Sequence, residues 1–237
     1  MKKEKLSNFI SKYYLAGNAD SVKLIVKDKV LSTKFITADQ TVIGEVELNE
    51  FDAEDVEFGV YTTGQLIKLI SALDDSVNLT FNKVESKVYS VTMDDTITKA
   101  SYMLSDLSVI PTAPNLKQLP PFDVKIELTK EFTSKFIKAK NALPEADNFA
   151  VESDGTNTNI IINYSNVNTN KISFKATTLE TSSMSPVCFS AKLFKEILEA
   201  NKDCTGTLEI SSKGLGRVTF SNKEFSTVYY LVKLSIN

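Results

Sequence analysis

The side chains that could do chemistry in this sequence are carboxylates, lysines and two thiols, because histidine is absent. Without it the commonest general base and metal ligand is missing, and Ser-His-Asp and Cys-His catalysis are ruled out. Two acid pairs invite a metal reading. Asp94-Asp95, flanked by Met93 and Thr96, has the look of a turn between strands, and Asp74-Asp75 that of a helix end. Neither has the ligand spacing of a calcium loop. The piece Lys213-Gly214-Leu215-Gly216-Arg217 fits neither GxxxxGK[ST] nor GxGxxG; it lies between two strand-like runs and reads as a hairpin turn. Cys188 and Cys204 form no CxxC and are expected to be reduced thiols of a cytoplasmic protein. The expectation is a protein that is not an enzyme, with no catalytic residue, metal or cofactor. What remains is lysine. Arg217 is the only arginine, so almost every positive charge is a flexible, strongly hydrated ammonium.

The elements that must carry those lysines follow from periodicity. Leu6, Phe9, Ile10 and Tyr13 stand at helical spacing, and Gly17 follows as a stop. Strand-like runs come at 21–26, 29–36, 41–48 and 56–61, each rich in Val, Ile, Thr or Phe. A second helix spans 63–73 with Thr62 as its N-cap and Leu66, Leu69, Ile70 and Leu73 as its stripe. Strands at 77–81, 87–93 and 97–104 follow. The second half runs in the same order: a strand at 124–128, then a helix capped by Thr129 and ended by Pro144, with Phe132, Phe136, Ala139 and Leu143 inward. Strands at 148–152, 159–164, 171–177 and 184–189 lead to a helix capped by Ser190, with Leu193, Phe194 and Ile197 inward. Strands at 206–211, 217–220 and 226–234 close the pattern.

Between the halves lies LSVIPTAPNLKQLPPFD, which holds Pro111, Pro114, Pro120 and Pro121, four of the six prolines. Proline lacks the N–H a central strand donates and biases its predecessor towards extended backbone. The stretch therefore reads as an extended connector between two copies of one architecture. The division is 1–106, 107–123 and 124–237. The copies match best where Tyr61, Thr62, Leu66, Leu69 and Ile70 line up with Phe189, Ser190, Phe194, Ile197 and Leu198.

Charge is distributed unevenly over this plan. The chain carries a net −3, and 24% of its residues are charged, which by themselves do not suggest a nucleic-acid partner. Yet the four helical stretches hold twelve lysines against four glutamates, a net +8 that leaves −11 elsewhere. At 100° per residue, Lys5 and Lys12 fall away from the first apolar stripe and Lys68 from the second. Lys130 and Lys138 do so on the third helix with Lys135 and Lys140 at its flanks, and Lys192, Lys195 and Lys202 on the fourth. Helices set on one side of their sheets would make a basic surface that attracts phosphates without reading bases. Any surface helix also puts lysine on its wet face, so the repetition across four helices carries the reading. No apolar run approaches the roughly 18–20 residues of a membrane span, and MKKEKLSNFI lacks the apolar segment of a signal peptide.

Two helix-bearing α+β repeats, a proline-rich connector, basic helices and an acidic remainder resemble the sliding clamps, the DNA polymerase processivity factors. FGVYTTGQLIKLISALDDSVNLTF in particular is similar to the second-helix region of clamps from T-even-type tailed phages. The resemblance implies an α+β fold of two clamp-type modules, each with antiparallel sheets and two helices on one face, closed head to tail into a homotrimeric ring around duplex DNA. It implies a DNA polymerase and a clamp-loader ATPase as partners, no membrane, and a cytoplasmic setting, that of the infected bacterium if the protein is viral. The ten helix lysines named above would face DNA. Tyr102, Met103, Ile172 and Phe174 would be candidates for the subunit interface, with an ordinary core role as the alternative. Leu107, Val109, Ile110, Val232 and Leu234 would line a pocket for partner peptides, or be buried beneath the connector. A competing function is a phage structural ring or tube subunit that needs no DNA.

Overall fold

The computed structural model describes residues 1–85 and 87–235. The chain divides into two compact units: 1–38 with 44–113 and 223–226, and 39–43 with 114–222 and 227–237.

In the first unit, helix α1 (Lys3–Tyr14) is followed by strands β1 (Val22–Lys27), β2 (Val30–Ile36), β3 (Val42–Leu48) and β4 (Val56–Val60). Helix α2 (Thr63–Ser71) and strands β5 (Asn78–Val84), β6 (Lys87–Asp94) and β7 (Lys99–Met103) complete it. The strands pair in the orders β4-β1-β2-β3 and β5-β6-β7. Leu6 and Ile10 of α1, Leu66 of α2, Leu24, Phe58, Phe81 and Met93 surround one small apolar void, so both helices and both groups of strands share a core. The first helix ends one residue early, at Tyr14. Leu15 turns left-handed at φ +46° and donates its N–H to Ser11, a strain held by full burial of its side chain.

The second unit runs β8 (Val124–Leu128), α3 (Lys130–Ala142), β9 (Asn148–Asp154), β10 (Thr158–Ile162), β11 (Ile172–Ala176), β12 (Thr178–Thr181) and β13 (Ser183–Ser190). Then come α4 (Ala191–Ala200), β14 (Thr205–Ser211), β15 (Leu215–Ser221) and β16 (Phe225–Val232). Strand orders are β12-β8-β14-β15-β16 and β11-β10-β9-β13. Phe136 of α3, Phe194 of α4 and Phe149 of β9 lie with ring centroids 4.8–5.1 Å apart, which fixes both helices over one face of β9. Pro186 is tolerated because β13 is an edge strand bulged between Met184 and Val187.

Caps show where local signals suffice. Thr129 and Ser190 accept the N–H of Phe132 at 3.1 Å and of Leu193 at 3.3 Å, as expected from sequence. Thr62 makes no side-chain cap. Asp20 replaces it, accepting the Gly64 N–H at 2.9 Å, while Thr63 Oγ1 donates to the Asp20 carbonyl at 2.7 Å. The strand β12, missed in the sequence reading, pairs with β8. Residues 111–122 form no helix or strand.

The end of this irregular stretch is pinned by the single arginine. Arg217 Nε and Nη2 both meet Glu209 Oε2 at 2.6 Å, and its guanidinium lies 4.7 Å from the Phe122 ring centroid. Next door, Asp123 donates its N–H to Ile210 and accepts the Ser212 N–H. Glu209 is nearly buried, so removing its partner strands a carboxylate. Arg217→Met is expected to lower stability by about 1–3 kcal/mol, read as a lower urea midpoint at unchanged slope. In the first unit, Asp95 accepts N–H bonds from Asp74 at 2.7 Å, Thr98 at 2.6 Å and Ile97 at 2.7 Å, and these hold its pKa below the usual carboxylate range. The folded state therefore binds this proton less readily than the unfolded chain does. The resulting stabilisation is present above the ordinary aspartate pKa and is lost as pH falls through the lowered one. An NMR titration should place the Asp95 midpoint below about 3.9, the unperturbed value; a midpoint at or above it would contradict the geometry.

Candidate nucleic-acid interface

The apolar stripes decide which lysines emerge. On α2, Leu66 and Ile70 are buried and Lys68 is exposed. On α3, Phe132, Phe136 and Ala139 face inward, leaving Lys130, Lys135 and Lys138 exposed. On α4, Leu193, Phe194, Ile197 and Leu198 are buried; Lys192 and Lys202 are exposed and Lys195 is half-buried. Helix α1 packs against α2 in the first unit and α3 against α4 in the second.

Two of the expected lysines are corrected. Lys12 is fully buried, with its ammonium 4.8 Å from the Phe225 ring centroid. Its helical angle clears the α1 stripe, but residues distant in sequence cover it. Lys140 is 8% exposed and turns back to donate to the carbonyls of Leu143 at 3.4 Å and Pro144 at 2.9 Å, closing the C-terminus of its own helix. Neither is available to a ligand from solution.

The remaining eight differ in how much charge they present. Lys5 lies 3.6 Å from Glu224, with a side chain only 17% exposed. Lys135 faces Glu131 at 3.7 Å. Lys195 sits between Glu199 at 3.3 Å and Glu196 at 3.9 Å. Burial first, and then the Glu199 charge, push the Glu196 pKa up. Lys68, Lys130, Lys138, Lys192 and Lys202 form no ion pair among the described residues. They are five exposed ammonium groups outside any direct ion pair among the described residues, although Lys192 still acts on the nearby Glu196 carboxylate.

Of the interface candidates, Tyr102 is corrected to a core residue. It is 5% exposed and its hydroxyl exchanges hydrogen bonds with the Thr62 backbone, accepting from N at 3.1 Å and donating to O at 3.2 Å. Met103 is 66% exposed. Ile172 and Phe174 are half-buried, Phe174 lying 5.7 Å from Phe132 in an edge-on contact. The strands bearing these residues share a property that sequence could not give: β7 and β11 are each the outermost strand of a sheet. Their outer backbone N–H and C=O groups have no strand partner within the units described.

The five apolar pocket candidates divide. Ile110 is corrected: it is 4% exposed and lies against Gly59, where any added Cβ would come within 3.1 Å of it. Val109 is exposed, and Leu107 half-buried, in a short turn whose Asp106 carboxylate accepts the Ser108 N–H at 3.0 Å. In the second unit Val232 is exposed, whereas Leu234 lines a groove of about 450 Å³ with Tyr164, Pro186, Cys188, Ser212 and Lys233. The Leu234 N–H is bonded to the Cys188 carbonyl at 2.8 Å, which holds the C-terminal segment along the edge of β13. Tyr164 and Cys188 belong to this groove and were not anticipated; the register of β13 on β9, which turns Cys188 away from the helices, is what puts them there.

No family model and no curated protein matches the chain. Solved structures do match it over its full length. The A. fulgidus PCNA bound to the C-terminal region of FEN-1 superposes with a TM-score of 0.78 at 15% identity, covering 100% of this chain and 98% of that one. Proliferating cellular nuclear antigen from Entamoeba histolytica gives 0.77 at 13%, covering 99% and 97%. The PCNA2-PCNA3 complex from Sulfolobus tokodaii gives 0.74 at 12%, covering 98% and 97%. The chain has the fold of these proteins. Nothing in these matches supports the expected closeness to the phage clamps.

Burial makes a direct prediction about reactivity. Under limited amine acetylation read by mass spectrometry, Lys68, Lys130, Lys138, Lys192 and Lys202 should modify first, and Lys12 and Lys140 at least tenfold more slowly, a roughly 1.4 kcal/mol difference in accessibility.

Proposed function

We propose that this protein is a DNA sliding clamp, a ring of copies that encircles duplex DNA and tethers the replicative polymerase. The observation that carries the reading is the set of five exposed lysines outside direct ion pairs, four on helices α2, α3 and α4 and Lys202 just past the end of α4, in an otherwise acidic chain whose fold is matched end to end by PCNA structures. Ammonium groups on flexible stems suit loose contact with a phosphate backbone that must slide past. The acidic remainder discourages DNA from settling elsewhere. The DNA-facing set becomes Lys5, Lys68, Lys130, Lys135, Lys138, Lys192, Lys195 and Lys202.

Ring closure would come from the two open edges. A sheet edge exposes a row of unsatisfied hydrogen-bonding groups, and β7 on β11 of the next copy satisfies both rows. Such a contact is heterologous, and three copies of a two-module chain would close it. In this reading 1–106 and 124–237 are the modules and 107–123 the connector. A loader ATPase would open the ring, and partner peptides would dock at the groove containing Leu234; Leu107 and Val109 in the first unit are separate candidates for an apolar contact. The alternative of a structural ring or tube subunit has no observation in its favour, since it leaves the lysine pattern unexplained.

Topology gives the test. After incubation with a clamp-loader ATPase and ATP, the protein should co-elute with a circular duplex and be released when one restriction cut linearises the DNA. Equal retention on linear DNA would contradict encirclement. Replacing both Lys130 and Lys192 by glutamate should reduce retention on the circle several-fold at moderate salt while the mass by light scattering stays that of wild type. Unchanged retention would remove these lysines from the interface.

A further inference from the structure

A groove of about 470 Å³ runs beside the open edge of the second unit. Ala139, Ala142 and Ile172 give it an apolar face, and Glu131, Ser134, Lys135 and Lys138 line the rest, Ala142 being exposed. That face is hollow because two alanines stand where larger side chains would fill the space between α3 and β11. Such a hollow beside an unpaired strand lacks a neighbour that brings a bulky apolar side chain to that height.

The first unit carries such a side chain. Tyr61 is 53% exposed, an aromatic ring left in solvent immediately before α2. Its position along the other open edge is fixed. Tyr102 of β7 is bonded to the Thr62 backbone, so Tyr61 lies at the Tyr102 end of that strand. The far end of α2 lies at the Lys99 end, because Asp95 receives the Asp74 N–H and closes the turn to Thr98. Along β11 the order is just as definite. Phe174 touches Phe132 and Lys135, near the start of α3, while Ile172 shares the groove with Ala139 and Ala142, near its end.

Charge selects which edges meet. The β7 corner holds Asp74, Asp75, Asp94 and Asp95, with Lys99 and with Lys3, whose ammonium reaches the Leu73 carbonyl and acts on Asp95. The β11 edge holds exposed Lys171 and Lys175, with Lys130 at the start of α3. Two β11 edges would set Lys171 and Lys175 of each copy against one another, whereas the β7 corner offers them carboxylates. Antiparallel pairing, the arrangement of every strand pair whose register is described, sets the Met103 end against Ile172. It also sets the acidic C-terminal end of α2 beside the N-terminal end of α3, so the helix dipoles oppose favourably.

We infer that Tyr61 of one copy fills the groove of Ala139, Ala142 and Ile172 on the next, with the Lys138 ammonium against its ring. The inference rests on the ring reading above and adds to it the side chain that seals the joint. Aromatic anchors in desolvated pockets dominate interface energetics, and the lysine adds a cation–π contact.

The test uses the full chain in a Cys204→Ser background. Tyr61→Cys and Ala142→Cys, combined, should be captured between copies by a short bis-maleimide as a ladder on denaturing gels, with neither single variant giving it. Tyr61→Ala should raise the dissociation constant of the assembly at least tenfold by sedimentation, with an unchanged circular-dichroism melt of the protomer. If wild type assembles but no ladder forms and Tyr61→Ala dissociates like wild type, the inference falls and the ring reading stands. If wild type is a monomer throughout the micromolar range, the ring reading falls and this inference with it.

Discussion

A helix that covers a sheet has only one dry stripe, and this constraint organises both units. In the second unit Phe132, Phe136, Phe149 and Phe194 interlock at edge-on and stacked ring geometries. Each ring buried there fixes the rotation of α3 or α4 about its axis. Once the rotation is fixed, the exits of Lys130, Lys138 and Lys192 are fixed as well. The charged surface is thus a by-product of aromatic packing: lysine contributes little to holding the helices, and the core determines where lysine points. The first unit obeys the same rule with Leu6, Phe9, Ile10 and Tyr13 on α1 and Leu66 and Ile70 on α2, and presents fewer bases outside ion pairs.

That rule also explains what could be read from sequence. Caps Thr129 and Ser190 are legible because both partners of each bond lie three residues apart. Thr62 has the same local signal and makes no cap, because Asp20, over forty residues upstream, reaches Gly64 first. Lys12 and Lys140 have the helical angles of surface residues and are buried nonetheless. One is covered by Phe225, the other consumed by the carbonyls that end its helix, and neither circumstance leaves a mark in the periodicity. The resemblance makes Tyr102 a candidate for the subunit interface with a core role as the alternative, and the alternation of β7 turns its ring inward to Thr62. The status of β7 and β11 as open edges is invisible in sequence for a different reason. Edge or centre is a property of pairing, and the alternation of β7 alone would suit either.

The distribution of arginine and lysine carries a further argument. Arginine grips a carboxylate or phosphate with two parallel bonds in a fixed plane, and lysine is a mobile point charge. This chain has one arginine, and it is committed internally to Glu209 and Phe122. Every helix base that reaches solvent is therefore of the mobile kind. A surface meant to hold one sequence would need fixed donors aimed at base edges. A surface of separated ammonium groups can neutralise any phosphate at similar cost, so its interaction changes little as the duplex moves one step along. Tight individual contacts would oppose such movement, and residence on DNA must then come from closure around it. In the proposed ring the demanding contacts would be transferred from the DNA face to the joint between copies, for which the unpaired strands β7 and β11 and the exposed Tyr61 ring are the groups on offer.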